Sequence, residues 1–171
     1  MKITPGQNKS IIAALFVLVL SAAAWFGRDQ IAVFPAQNEN AVSNAPARVQ
    51  KAIVTKVLDG DTIVVSGGDH VRLLGIDADE KGYPCYDAGR LRLEELILGK
   101  TVSLEADSED SDQYGRQLRY IFLDSENINQ KMVAEGLAIA RFYPENQKYK
   151  TEIAAAETKA IESKTGCKWG K

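Results

Sequence analysis

Three short segments of this 171-residue chain carry charge at the end of an apolar, β-branched run. They are Val57-Leu58-Asp59-Gly60-Asp61-Thr62-Ile63, Val71-Arg72-Leu73-Leu74-Gly75-Ile76-Asp77-Ala78-Asp79-Glu80 and Gln113-Tyr114-Gly115-Arg116. A strand that ends in a carboxylate or a guanidinium presents that group at the rim of its sheet. Three such rims brought together would hold several acids and two arginines in one cleft. Hard divalent cations take carboxylate oxygens, and the planar arginine fork matches phosphate oxygens. The implied chemistry is that of a cation and a phosphate held side by side. Taken singly, the pieces say little: Asp59-Gly60-Asp61 is a turn, Arg72 a solvated strand residue, Tyr114-Gly115-Arg116 a loop. Their joint occurrence carries the reading.

These groups need strands to position them. Residues 52–58 alternate and are β-branched, Asp59-Gly60 turns the chain, and 61–66 continues as a second strand. Gly67-Gly68-Asp69 reads as a hairpin turn into a third strand over 70–76, with His70 at its edge. A polar loop follows over 77–85. The pattern over 87–98 predicts a helix stopped by Gly99, and 101–106 and 117–123 read as strands. Between them, the acidic stretch from Glu105 to Asp112 reads as a solvated loop. A short helix over 127–135 ends at Gly136, an extended piece covers 137–142, and a longer helix over 145–164 puts Tyr149, Ile153, Ala156 and Ala160 on one side. Five short strands of antiparallel style with three helices predict an α+β fold built on a small barrel.

Bulk properties bound the rest. Hydrophobic residues make up 45%, enough for a core, and a net charge of -2 argues against a protein that coats nucleic acid. Lys2 and Lys9 precede an apolar run over 11–27, near the lower limit for spanning a bilayer. Two readings stand. One is a secretory signal cleaved after Ala24; the other is an uncleaved membrane anchor with Trp25 and Phe26 at the interface. Both place everything after Arg28 outside the cytoplasm. The expected organisation is a signal or anchor over 1–28, a flexible linker over 29–47 and a folded domain over 48–171. The even cysteine count in an exported chain predicts a Cys85–Cys167 disulfide, two unpaired thiols being the alternative. With His70 the only histidine, a two-cysteine zinc site lacks partners.

From about residue 50 to 170 the chain resembles the staphylococcal nuclease (thermonuclease) family. The resemblance lies in Asp59-Gly60-Asp61-Thr62, Arg72-Leu73-Leu74-Gly75-Ile76-Asp77 followed by Glu80, and Tyr114-Gly115-Arg116. Asn129-x-x-x-Val133, Gly136-Leu137-Ala138 and Trp169 complete it, in that order. It implies a five-stranded OB-type β-barrel with three packed helices, and Ca²⁺-dependent hydrolysis of phosphodiester bonds in DNA or RNA. It implies Asp61 and Asp77 as carboxylate ligands of the cation, with Ala78 through its backbone carbonyl and Asp59 through water. Glu80 is implied as the general base, and Arg72 and Arg116 as the phosphate grip. Tyr114, Phe142 and Tyr143 stand where base contacts are expected. Asp79 departs from the family pattern, which commonly has proline there, and is expected to loosen the approach to Glu80. The expected partners are a nucleic acid and, if the front segment stays uncleaved, a membrane; the chain is expected to be monomeric. The alternative is a barrel of the same family that binds nucleic acid or protein without cutting. Retention of Arg72, Glu80 and Arg116 favours the enzyme.

Overall fold

The computed structural model describes residues 49–170; the expected front segment and linker lie outside them. Among the described residues no helix is long and apolar enough to cross a membrane. The strands are β1 (Val49–Val57), β2 (Thr62–Val65), β3 (His70–Leu73), β4 (Ile76–Ala78), β5 (Thr101–Glu105), β6 (Gln117–Leu123), β7 (Glu126–Asn127) and β8 (Ala138–Ala140). The helices are α1 (Tyr86–Ile97), α2 (Ile128–Ala134), α3 (Lys150–Glu162) and the short α4 (Gly166–Trp169). β3, β2, β1, β5 and β6 lie side by side, antiparallel at each step, and a parallel β3–β6 pairing (Val71 opposite Gln117, Leu73 opposite Arg119) closes the sheet into a barrel. Closure leaves no free edge between β3 and β6. The expected five-stranded barrel with packed helices is the fold observed.

Alternation along the strands sends Val54, Ile63, Val71, Leu104 and Ile121 into the barrel, all fully buried. Leu93 and Ile97 of α1 and Ile153 of α3 close over it. Each such side chain contributes about 1.5–3 kcal/mol through burial. The buried Asn129 fastens α2 to the barrel. Its Oδ1 accepts from Ile121 N at 3.0 Å, while its Nδ2 donates to Leu74 O at 2.8 Å and Arg119 O at 3.2 Å. The turn after β3, which precedes the candidate acids, is thereby tied to β6.

Besides the unexpected β7 and α4, the structure departs from the expected elements in three places. The third strand is broken at Gly75, which adopts φ of 77° and would bring a Cβ to 2.9 Å from Ile153 Cδ1. After the break the chain leaves the barrel and pairs as β4 with β8, Asp77 opposite Ile139. The helix expected over 145–164 starts at Lys150, because Asn146 is buried and its Oδ1 accepts from Glu109 N at 2.9 Å. The acidic stretch is exposed at Glu109 and Asp110, as expected of a solvated loop, but it is also bonded to the protein. Glu105 meets Lys148 and Tyr149, Asp110 meets Arg119 at 2.9 Å, and Asp112 meets Arg116 at 2.7 Å.

Candidate active site

The strand ends assemble as their sequence order suggests. Asp61 lies at the entry to β2, Arg72 within β3 directly opposite Thr62, and Asp77 within β4. Arg72 joins the two acids: its Nη1 is 2.7 Å from Asp61 Oδ2 and its Nη2 is 3.0 Å from Asp77 Oδ1. Asp61 is only 4% exposed. Its Oδ2 also accepts from Ala78 N at 2.6 Å and its Oδ1 from the Thr62 hydroxyl at 3.1 Å. Asp59 Oδ1 accepts from Asp61 N at 3.0 Å, which places this third acid beside Asp61. Burial pushes the Asp61 carboxyl up to about 7, although Arg72 and the Ala78 amide pull it down; Asp59 adds to the rise.

Arg116 arrives on a tight loop. Asp112 Oδ1 accepts from both Tyr114 N (2.9 Å) and Arg116 N (3.0 Å), and its Oδ2 accepts from Arg116 Nε at 2.7 Å. Burial alone would raise Asp112, but the Arg116 side chain and these amides hold it below the ordinary carboxylate range. With Nε thus fixed, Arg116 Nη1 makes a long 3.5 Å contact with Thr62 Oγ1. Arg141, just past β8, places Nη1 2.9 Å from Asp77 Oδ2. A continuous polar line therefore runs Arg116, Thr62, Asp61, Arg72, Asp77, Arg141. Its three arginines, with Tyr114 and Tyr143, line a cavity of about 340 Å³. Arg116 sits 5.6 Å from the Tyr114 ring centroid and Arg141 5.8 Å from that of Tyr143.

Not every expected residue joins this group. Glu80 lies in the loop after β4; its side chain is exposed, makes no hydrogen bond or ion pair among the described residues, and is absent from the cavity wall. Phe142 is half-buried against the hydrophobic core and is not on the cavity wall. Successive residues of an extended segment face opposite ways, so Arg141 and Tyr143 share the cleft side and Phe142 takes the other. The Ala78 group bonded to Asp61 is its amide. Asp79 does not hang free beside Glu80. Its Oδ2 accepts from Cys85 N at 2.9 Å, and its Oδ1 pairs with Lys168 Nζ. Cys85 is bonded to Cys167, with Cα atoms 5.6 Å apart. The aspartate thus tightens the loop that the sequence suggested it would loosen. Sequence reasoning missed Thr62, Asp112, Arg141 and Lys168 as participants. The faint signals were a hydroxyl next to Asp61, an acid four residues before Arg116, and an arginine ahead of two aromatics.

Among the described residues no group of three or more His, Cys, Asp or Glu side chains is arranged to hold a metal ion. The donor set is sparser than that. It has two carboxylates spanned by one guanidinium, a third acid one hydrogen bond away, and in Asp61 a buried carboxylate short of positive charge. A hard cation completed by water and phosphate oxygens fits such a set, because added positive charge would keep Asp61 ionised.

Residues 70–169 match the sequence pattern of the family described as staphylococcal nuclease homologue. A thermonuclease of Staphylococcus intermedius is 38% identical over 127 residues, covering 69% of this chain and 76% of that protein. A thermonuclease of Staphylococcus hyicus is 33% identical over 168 residues, 93% of each chain. Endonuclease YncB of Bacillus subtilis (strain 168) is 33% identical over 151 residues, 79% of this chain and 71% of that protein.

Proposed function

This chain belongs to the staphylococcal nuclease family and is a phosphodiester-hydrolysing nuclease, and on that footing we propose that it is an exported, monomeric, Ca²⁺-dependent enzyme that cuts DNA or RNA with low sequence specificity at the Asp61–Arg72–Asp77 rim. The observation that carries the reading is the single guanidinium of Arg72 spanning two acids, with Arg116 on the wall of the same cavity. Hydrolysis moves negative charge onto the non-bridging oxygens of the phosphodiester as water attacks. Arg72 and Arg116 are fixed before substrate arrives, one by Asp61 and Asp77 and the other by Asp112. Oriented donors that need no rearrangement lower the barrier most. Asp61, Asp77 and, through water, Asp59 would hold the calcium ion, with the Ala78 carbonyl nearby; bound there, it supplies Lewis-acid stabilisation of the same developing charge. Glu80 serves as base for the attacking water, carried on a loop that its neighbour Asp79 ties to Cys85 and Lys168. Tyr114 and Tyr143 offer ring faces to bases. The Cys85–Cys167 bridge supports a site of action outside the cytoplasm, whether the front segment is cut or anchors the chain in a membrane.

The test is cleavage of supercoiled plasmid and of RNA by the purified chain, with calcium or with chelator. The expected result is calcium-dependent cleavage lost in Arg72→Ala. No cleavage with calcium, or full cleavage by Arg72→Ala, overturns the proposal. A second reading, binding without cutting, draws on the absence of Glu80 from the cavity wall; unaltered behaviour of Glu80→Gln would favour it.

A further inference from the structure

Arg141 plays no part in the motifs that carry the family resemblance, yet the structure puts it in the cleft. Its Nη1 takes one oxygen of Asp77 while Arg72 takes the other, so the two guanidinium groups stand one carboxylate apart. Two guanidinium groups so placed on one wall can each take a phosphate of the same strand. A guanidinium has five N–H donors. Among the described residues only Nη1 of Arg141 is engaged by a side-chain acceptor, and the side chain is 54% exposed on the cavity wall. The Tyr143 ring, its centroid 5.8 Å away, is within cation–π reach of the guanidinium. A structural ion pair would not need this placement: Arg92, for comparison, spends three nitrogens on Glu95 and Glu135.

We propose that Arg141 binds the phosphate next to the scissile one, so that the cleft favours substrates with two or more consecutive phosphodiesters over a dinucleotide. The contact adds affinity without touching the reacting atoms, because Arg72 and Arg116 already serve the scissile group. Substrate preference should then depend on chain length more than on base identity. The inference rests on the nuclease reading given above.

The experiment compares wild type, Arg141→Ala and Arg141→Lys in the full chain. Substrates are thymidylyl-thymidine, with one phosphodiester, and a ten-nucleotide oligothymidylate, each over a range of salt. For the ten-mer, Arg141→Ala should raise KM by about tenfold with kcat within about twofold, and should flatten the logarithmic salt slope by about 0.7, the value for one single-strand phosphate. Arg141→Lys should keep the slope. Turnover of the dinucleotide should stay within about twofold in all three proteins. Equal losses on both substrates would mean that Arg141 acts by positioning Asp77, and unchanged slopes would mean that it touches no phosphate; either overturns the proposal. If wild type cuts neither substrate, the nuclease reading fails instead. The same slope difference must then appear in the fluorescence anisotropy of a dye-labelled ten-mer, and its absence there overturns the proposal too.

Discussion

Asp61 and Asp79 lie eighteen residues apart on either side of β3 and β4, and both are bonded to a cation, yet their carboxyl groups are driven in opposite directions. Asp61 is buried at the rim with Arg72, the Thr62 hydroxyl and the Ala78 amide, and burial still pushes it up to about 7. Burial works against Asp79 as well, but the Lys168 ammonium and the Cys85 amide outweigh it and hold the carboxyl below its ordinary 3.8. The first is short of positive charge and so suited to take more; the second is complete and serves only to hold chain to chain. A carboxylate that the protein leaves under-compensated marks the functional side, and one fully compensated marks the scaffold.

The largest separation between the two regions should come from Arg72→Ala. Losing a charge-matched donor should cut kcat by about 10²-fold or more. It also leaves Asp61 buried without its partner, so the carboxyl rises further and is held neutral with fewer hydrogen bonds, at about 1–3 kcal/mol of stability. Steady-state kinetics and urea unfolding read both, and Arg116→Ala should share the rate loss with much less destabilisation. On the scaffold side, replacing both Cys85 and Cys167 by serine opens a loop whose ends are 82 residues apart, at about 4 kcal/mol on the chain-entropy model. Calcium affinity should survive that change; if it collapsed with stability, the rim and the staple would be one unit and the contrast would fail.

The pH dependences sharpen the comparison further. Asp61 has a folded value raised above its unfolded one, so in metal-free protein its contribution turns unfavourable as pH rises from about 4 to about 7, by up to about 1.4 kcal/mol per unit. Asp61→Asn should remove that downward slope from the stability curve. Asp79 has a lowered value, so its contribution is present above about 4 and disappears as pH falls through its folded value. Asp79→Asn should cost about 1 kcal/mol at pH 7 and nothing in strong acid. A stability difference for Asp79→Asn that persisted unchanged to low pH would show that packing, not charge, holds the loop.

The barrel was legible because each of its strands is an alternating or β-branched run bounded by glycine and aspartate, and periodicity reports such elements directly. β4 was not, because its three residues continue the apolar run of β3, and the break rests on one glycine with positive φ. The acids and arginines at strand ends were legible as a group, since their place follows from the strand that carries them. Arg141 and Lys168 were not, because each meets its partner through tertiary contact: Lys168 reaches Asp79 across 89 positions and Arg141 reaches Asp77 across 64. Asp112 meets Arg116 only four positions on, but in a loop whose turn no periodicity reports. The side that Phe142 takes was illegible for a related reason. Its neighbour Tyr143 is on the cavity wall, and only the phase of the strand decides which of two adjacent aromatics faces the cleft.

The claim that the under-charged rim is the cation site is tested most directly by calorimetric titration of the protein with calcium at pH 6, repeated in two buffers of different ionisation enthalpy. Binding should release close to one proton per ion from Asp61, and Asp61→Asn should bind at least tenfold more weakly with no release. Equal affinity in the two proteins, with no proton released by either, would contradict it.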